Sequence, residues 1–287
     1  MHLILAGIAL ALAWLWRQST ADAQGTWQQR WRKSLVGFVL PPLLLVGAAL
    51  SIALMGAGGH MWGMPASQLS SLLALAFMSW LGLVGLRSLY LSLQDERRLR
   101  AYPQAVVTGE TVRLVAADIP ASAYVGVWQP EILLTAGLMA QLDTEQLQAV
   151  LAHERAHAYY RDTFWFFWLG CLRTATAWLP RTEALWQELL LLRELRADRR
   201  ASLQSDALAL AEALVTVARY PVEFAEARCA PLSCATSSPD RLQERVEALL
   251  SAPAIFAEDA GSLQSWDWRW LAIALLPLAI LPFHCHC

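Results

Sequence analysis

The sequence is short of charge. Only 16% of its 287 residues are Asp, Glu, Lys or Arg, 56% are apolar, and lysine occurs once, at Lys33. That balance excludes an intrinsically disordered chain and is too apolar for an ordinary soluble domain, which leaves a membrane protein. A net charge of −2 lacks the basic excess with which nucleic-acid binders meet phosphates, so no nucleic-acid partner is expected. The five cysteines, Cys171, Cys229, Cys234, Cys285 and Cys287, are scattered and include no C-x-x-C pair, which excludes a disulfide framework. Fixed-period repeats and low-complexity tracts are also missing. Because Arg30 stands three residues before Lys33, the S-x-x-K motif of penicillin-reactive serines is absent too.

What the chain has instead is long apolar runs. Residues 35–55 and 69–86 are uncharged for long enough to cross about 30 Å of hydrocarbon at about 1.5 Å per residue. Pro41 and Pro42 inside the first run free backbone carbonyls that only neighbouring helices can satisfy, so this segment is expected to pack in a bundle. The run at 3–16 is shorter, and Ala21-Asp22-Ala23 behind it has the small residues of a signal-peptide cleavage site. Against cleavage, no Lys or Arg precedes that run, whereas Arg17, Arg30, Arg32 and Lys33 follow it. Basic residues in short loops stay on the cytoplasmic side, which puts 17–33 inside, the uncharged 56–68 outside, and Arg97, Arg98 and Arg100 inside again. Residues 271–283, preceded by Trp266, Trp268, Arg269 and Trp270, read as a last short span with the C-terminus outside.

Between 106 and 135 the residues turn β-favouring. Segments 112–115 and 124–128 flank the turn-like Asp118-Ile119-Pro120, predicting a small hairpin or sheet. Asp143 then heads a helix as N-cap, with Gln146 three residues on and Leu147, Val150 and Leu151 as its apolar stripe. That helix carries His153-Glu154-Arg155-Ala156-His157, an H-E-x-x-H motif. Positions i and i+4 share a helix face, so both imidazoles can reach one zinc ion at about 2.0–2.1 Å. Zinc that does chemistry needs a third protein ligand and an open position, and a carboxylate beside that position can take a proton from water. Glu154, next to a ligand but rotated about 100° around the helix, is placed as that general base. The third ligand is expected from a helix over 189–201, where Glu194 and Asp198 share a face. One of these can bind metal while the other accepts the spare N–H of a ligand histidine.

His153-Glu154-Arg155-Ala156-His157 with Arg161-Asp162, followed by Arg193-Glu194-Leu195-Arg196-Ala197-Asp198-Arg199-Arg200-Ala201, resembles the membrane-embedded gluzincin peptidases. Two neighbouring groups compete: the BlaR/MecR-type antirepressor metallopeptidases, and the HtpX-like and CAAX-prenyl-protease-like endopeptidases. The multi-span start, the apolar segment at 162–180 and the late Pro239–Leu250 stretch, similar to a closing helix of the antirepressor group, favour the first. Carried over by position, the resemblance makes His153, His157 and Glu194 the zinc ligands, Glu154 the general base and Asp198 the partner of a ligand histidine. It also implies that substrate adds a strand beside the cleft, against an edge formed by Ser122, Ala123, Tyr124, Val125 and Gly126, with an ordinary core strand as the alternative. Tyr159, Arg196 and Arg200 are candidates for stabilising an oxyanion, with packing or surface charge as the other reading of each.

Residues 164–180 cannot be a full crossing if Glu194 is to share a metal with His153 and His157, so a helix buried in the protein or dipping into the membrane surface is expected, with Cys171 as a small core residue. Cys229 and Cys234 flank Pro231 in a loop, and His284-Cys285-His286-Cys287 holds soft metal-binding side chains; an idle loop and an idle terminus are the plainer readings.

The expected architecture is mostly α and multi-pass, with a small β-sheet in a gluzincin-like zinc peptidase domain. Membrane helices fill 1–93, a cytoplasm-facing metallopeptidase domain 94–264, and a C-terminal anchor and short tail 265–287. The expected function is zinc-dependent endopeptidase activity at the cytoplasmic membrane face, with one Zn2+ per chain, the lipid bilayer as surroundings and a protein or peptide as substrate. Regulatory proteolysis of a transcriptional repressor stands beside two alternatives: housekeeping membrane-protein quality control, and a non-catalytic signalling protein using the zinc fold as scaffold.

Overall fold

The computed structural model describes residues 2–20, 25–56, 60–61, 64–65, 68–220, 239–251 and 276–283. The chain is mostly helical with small sheets, and it divides into two compact units. One comprises 1–86, 171–189 and 256–287; the other comprises 87–170 and 190–255.

In the first unit, α1 (His2–Ser19) packs on α2 (Trp27–Met55), Ala9 and Ala13 meeting Leu45 and Ala48. A capping box between Thr26 and Gln29 starts α2, satisfying two of the donors that a helix N-terminus leaves open. Pro42 has no N–H to give the carbonyl four residues back, that of Phe38, and Arg17 fills the gap, its Nη2 donating at 2.9 Å. A neighbouring helix thus satisfies the proline fault, as its sequence demands. Arg17 itself differs from expectation: it is buried in the last turn of α1, its Nη1 donating to Thr182 Oγ1 at 3.0 Å, and is not a loop charge. Two-residue strands β1 (His60–Met61) and β2 (Met64–Pro65) pair before α3 (Gln68–Arg100). A terminal 3₁₀ helix, Leu276–Phe283, lies against α2, where Ser51 Oγ donates to Pro277 O at 2.8 Å.

Among the described residues, α2 and α3 are long and apolar enough to cross a membrane; α1 is not one of them. Ala21-Asp22-Ala23, Cys229, Cys234, the tryptophans at 266, 268 and 270 and the tail 284–287 lie outside the described residues.

The second unit holds a four-stranded sheet in the order β3-β4-β6-β5, formed by Gln104–Val107, Glu110–Val115, Glu131–Thr135 and Ser122–Val125 respectively. β4 and β5, read from the sequence as a small hairpin or sheet, belong to one sheet but do not pair: β6 lies between them, parallel to β4 and antiparallel to β5. The reason is local. Thr135, fully buried at the end of β6, accepts from the N–H of Ala121 at 2.9 Å and donates to Ile119 O at 2.8 Å, drawing the chain before β5 onto β6. β5 therefore forms an edge, and it stops at Val125, short of the expected 128, because Gly126 turns the chain with φ 111°.

Val112, Ile132 and Leu134 bury one sheet face against Leu138 of α4 (Ala136–Gln141) and Leu147, Val150 and Leu151 of α5 (Thr144–Tyr160). The predicted capping box of Asp143 and Gln146 opens α5. Then follow α6 (Asp162–Ala175), α7 (Thr182–Ser202), α8 (Ala207–Ala218), which packs on α5, and α9 (Pro239–Leu250), which packs on α8. At 14 residues α6 extends about 21 Å, too short for a crossing.

Candidate metal centre

The apolar stripe of α5 packs on the sheet, which turns its other face, with His153 and His157, toward α7. Both rings are buried and meet edge to face, with centroids 4.7 Å apart. Their Nε2 atoms are 3.1 Å apart, and Glu194 Oε2 of α7 lies 3.3 Å from one and 3.8 Å from the other. Tetrahedral zinc ligands at 2.0–2.1 Å stand about 3.3 Å from one another, so the triangle has the size that a single ion requires.

The outer ring nitrogens show which way the lone pairs point. His153 Nδ1 lies 2.8 Å from Asp198 Oδ1, one turn after Glu194 on α7. His157 Nδ1 lies 2.8 Å from Asp162 Oδ2. A carboxylate at Nδ1 draws the ring proton there and leaves Nε2 as an acceptor. Three acceptors then converge with no donor among them, an arrangement that a cation makes favourable. Glu194 Oε1 is taken separately by Arg193, through Nε at 3.0 Å and Nη2 at 2.7 Å, leaving Oε2 to face the histidines.

Without an ion, the surrounding carboxylates favour positive charge on the rings themselves. Burial works against a charged imidazolium at His153, yet Asp198 and Glu194 outweigh it and push the ring up to about 10. His157 is raised by the same contest, burial against Glu194 and Asp162. Burial would raise Glu194, but Arg193, His157 and Arg245 hold it well below the ordinary carboxylate range. The pocket is thus built to hold positive charge beside an ionised carboxylate.

Glu154 is buried next to this triangle and accepts a 2.7 Å hydrogen bond from Ser122 Oγ, the first residue of β5. The edge strand and the carboxylate of the motif are therefore directly joined, a link that spacing along the chain does not show. Ala123, Tyr124 and Val125 continue that edge, with Gly126 at its end.

Two contributors went unassigned in the sequence. Asp162 follows Arg161, a non-glycine residue in the left-handed conformation (φ 52°) that closes α5 and turns the chain back onto His157. Its other oxygen takes a hydrogen bond from Arg196. Arg245 of α9, buried, grips Asp198 with two bonds of 2.7 and 2.8 Å and stands 3.4 Å from Glu194 Oε2. Of the oxyanion candidates, Arg196 is engaged by Asp162 and the Tyr160 ring, 4.0 Å away, while Arg200 lies 3.4 Å over the ring of exposed Tyr159. Arg196 is thus held by an ion pair, and Arg200 by the rings of Tyr159 and Tyr160.

Two histidines and a carboxylate converging beside a second buried carboxylate is the arrangement a metallopeptidase requires. The profile of Peptidase family M48 matches residues 95–251, more than half of the chain, and the chain belongs to that family. Comparison with curated proteins and with solved structures gives no match. Members of the family are metal-dependent, typically on zinc, and His153, His157 and Glu194 form the candidate site here.

Proposed function

We propose that the protein is a multi-pass, zinc-dependent endopeptidase whose active site opens at the cytoplasmic membrane face. The observation that carries this reading is the convergence of two Nε2 atoms and one carboxylate oxygen, each histidine backed by its own buried carboxylate, with Glu154 alongside. Zinc held by His153, His157 and Glu194 would supply a Lewis acid that polarises a peptide carbonyl and makes water acidic. Glu154 would take the proton of the attacking water and return it to the leaving amine. Ser122 would hold the Glu154 carboxylate in place, and Asp198 and Asp162 would fix the orientation of the ligand rings. A substrate peptide would add to the free side of β5 through backbone hydrogen bonds.

Support for a membrane setting comes from α3, whose Leu69, Leu72, Leu73, Leu75, Leu83 and Leu86 are all exposed, an apolar face that lipid would cover. Orientation rests on Arg32, Lys33, Arg97, Arg98 and Arg100 flanking spans joined by the uncharged segment 56–68. Likeness of Pro239–Leu250 to the closing helix of antirepressor peptidases supports regulatory cleavage of a repressor, with housekeeping proteolysis of membrane proteins as the alternative. A scaffold without catalysis would need the ligands but not Glu154.

Zinc analysis of purified variants tests the ligand set: one ion per chain in the wild type, and a large loss in His153→Ala, His157→Ala and Glu194→Ala. Equal zinc in all four would remove the assignment. A cysteine probe at position 67 should react from the outer face and one at position 202 should not; the reverse would place the site outside.

A further inference from the structure

The second unit carries an aromatic surface that catalysis does not use. α6 is apolar on both sides. Phe166 and Phe167 are buried, whereas Trp165 and Trp168 are 58% and 47% exposed. Phe164, one turn from Trp168, meets both of these rings, with centroids 5.4 and 6.4 Å away. Trp128, half exposed beyond the end of β5, closes edge-on to Phe164 at 5.9 Å. A stretch that is apolar all round belongs in a core or against lipid, and residues 164–169 of α6 have an outward face.

The neighbours of Trp128 show what meets that face. Glu96, near the end of α3, accepts from the backbone N–H groups of both Val127 and Trp128 at 2.9 Å. Arg100 donates to Gln129 at 2.7 Å. Trp128 is thus fixed to α3 between the last exposed apolar side chains of that helix, Tyr90 and Leu93, and the exposed Arg97, Arg98 and Arg100, ten residues past Leu86, where the uncharged run ends. Apolar helix, then tryptophan, then arginine is the order of groups through the boundary of a bilayer, where indole rings sit at headgroup level and guanidinium groups meet phosphate. A helix of this length, apolar outward and unable to cross, lies in that boundary.

We propose that Trp128, Phe164, Trp165 and Trp168 form a shelf seated in the headgroup region of a phospholipid bilayer. The inference rests on the membrane reading above and extends it to the peptidase unit. It also places the end of the substrate edge, Val125 and Gly126, at the membrane surface, which suits the enzyme to peptide segments lying close to the bilayer.

The test uses the whole wild-type chain in nanodiscs of phosphatidylcholine and phosphatidylglycerol, with a trace of phospholipid bearing a diazirine high on its acyl chain. After irradiation, adducts are mapped by mass spectrometry. The shelf predicts adducts on peptides containing 128 and 164–168 at least about tenfold above the peptide holding 144–149, whose helix start is polar. Adducts on α3 without any on the shelf would overturn the proposal while leaving the membrane reading intact; no adducts on α3 would overturn both. A nitroxide at position 165 or 168, by Trp165→Cys or Trp168→Cys in a cysteine-free background, gives an independent reading. Oxygen should relax it far more than a water-soluble nickel chelate, the opposite of a label at position 144. Nickel access equal to that at position 144, or spin coupling between copies of the chain, would overturn the proposal.

Discussion

Asp162 offers the sharpest check on how the metal site is held, because the H-E-x-x-H motif gives no hint of its role. It is 2% exposed, one oxygen against His157 Nδ1 at 2.8 Å and the other on Arg196. Asp162→Asn keeps the shape and one acceptor but removes the charge that orients the ring and raises its basicity. Loss of such a partner costs about 10–100-fold in metal affinity, or about 1.4–2.7 kcal/mol. Asp198→Asn should cost a similar factor through His153. The carboxylates act on different rings, so the double variant should lose about 10²–10⁴-fold if the two effects are independent. Asp162→Ala should also lower thermal stability, because Arg196, with only 12% of its side chain exposed, would lose its carboxylate. Zinc affinity by competition with a chromophoric chelator reads each variant. An Asp162→Asn protein that binds zinc within about twofold of wild type would refute the argument that each histidine depends on its own carboxylate.

Three further outcomes are expected. Arg17→Met should destabilise the detergent-solubilised protein by about 1–3 kcal/mol by leaving the Phe38 carbonyl unpaired. The loss should shrink in a Pro42→Ala background, where residue 42 can donate, and an equal loss in both backgrounds would contradict that account. Glu131, lowered from its ordinary 4.5 chiefly by the hydrogen bond from Arg113, adds stability that is present above that value and lost as pH falls through the lowered one. Glu131→Gln should therefore reduce the acid dependence measured by denaturant unfolding, and an unchanged dependence would count against the pair. With Arg30 three residues before the lone lysine, fluorescent penicillin should leave no boil-resistant label on the chain after electrophoresis.

The parts legible in the sequence were those fixed within one helix. The spacing of His153 and His157, the capping box at Asp143 and Gln146, and the shared face of Glu194 and Asp198 depend only on helical periodicity and end chemistry, and they stand in the structure as read. The order of the strands was not legible, since β4 and β5 are neighbours in sequence but are separated by β6 through the buried Thr135 hub. Nor was the role of Asp162, which needs Arg161 to adopt a left-handed turn that its residue type does not announce. Arg245 reaches Asp198 from 47 positions away, and only tertiary packing brings α9 to that carboxylate. Arg17 shows the same limit in the other unit: its charge suggested a loop, but the carbonyl freed by Pro42 gives it a buried place.

The central claim is that Glu154 performs proton transfer beside a metal held by other residues. Zinc content and hydrolysis of a quenched peptide library, measured on the same preparations of wild type and Glu154→Gln, test it most directly. The account predicts about one zinc per chain in both proteins, with cleavage lowered by several orders of magnitude in the variant. Glu154→Gln protein that keeps its zinc and still cleaves at near the wild-type rate would contradict it.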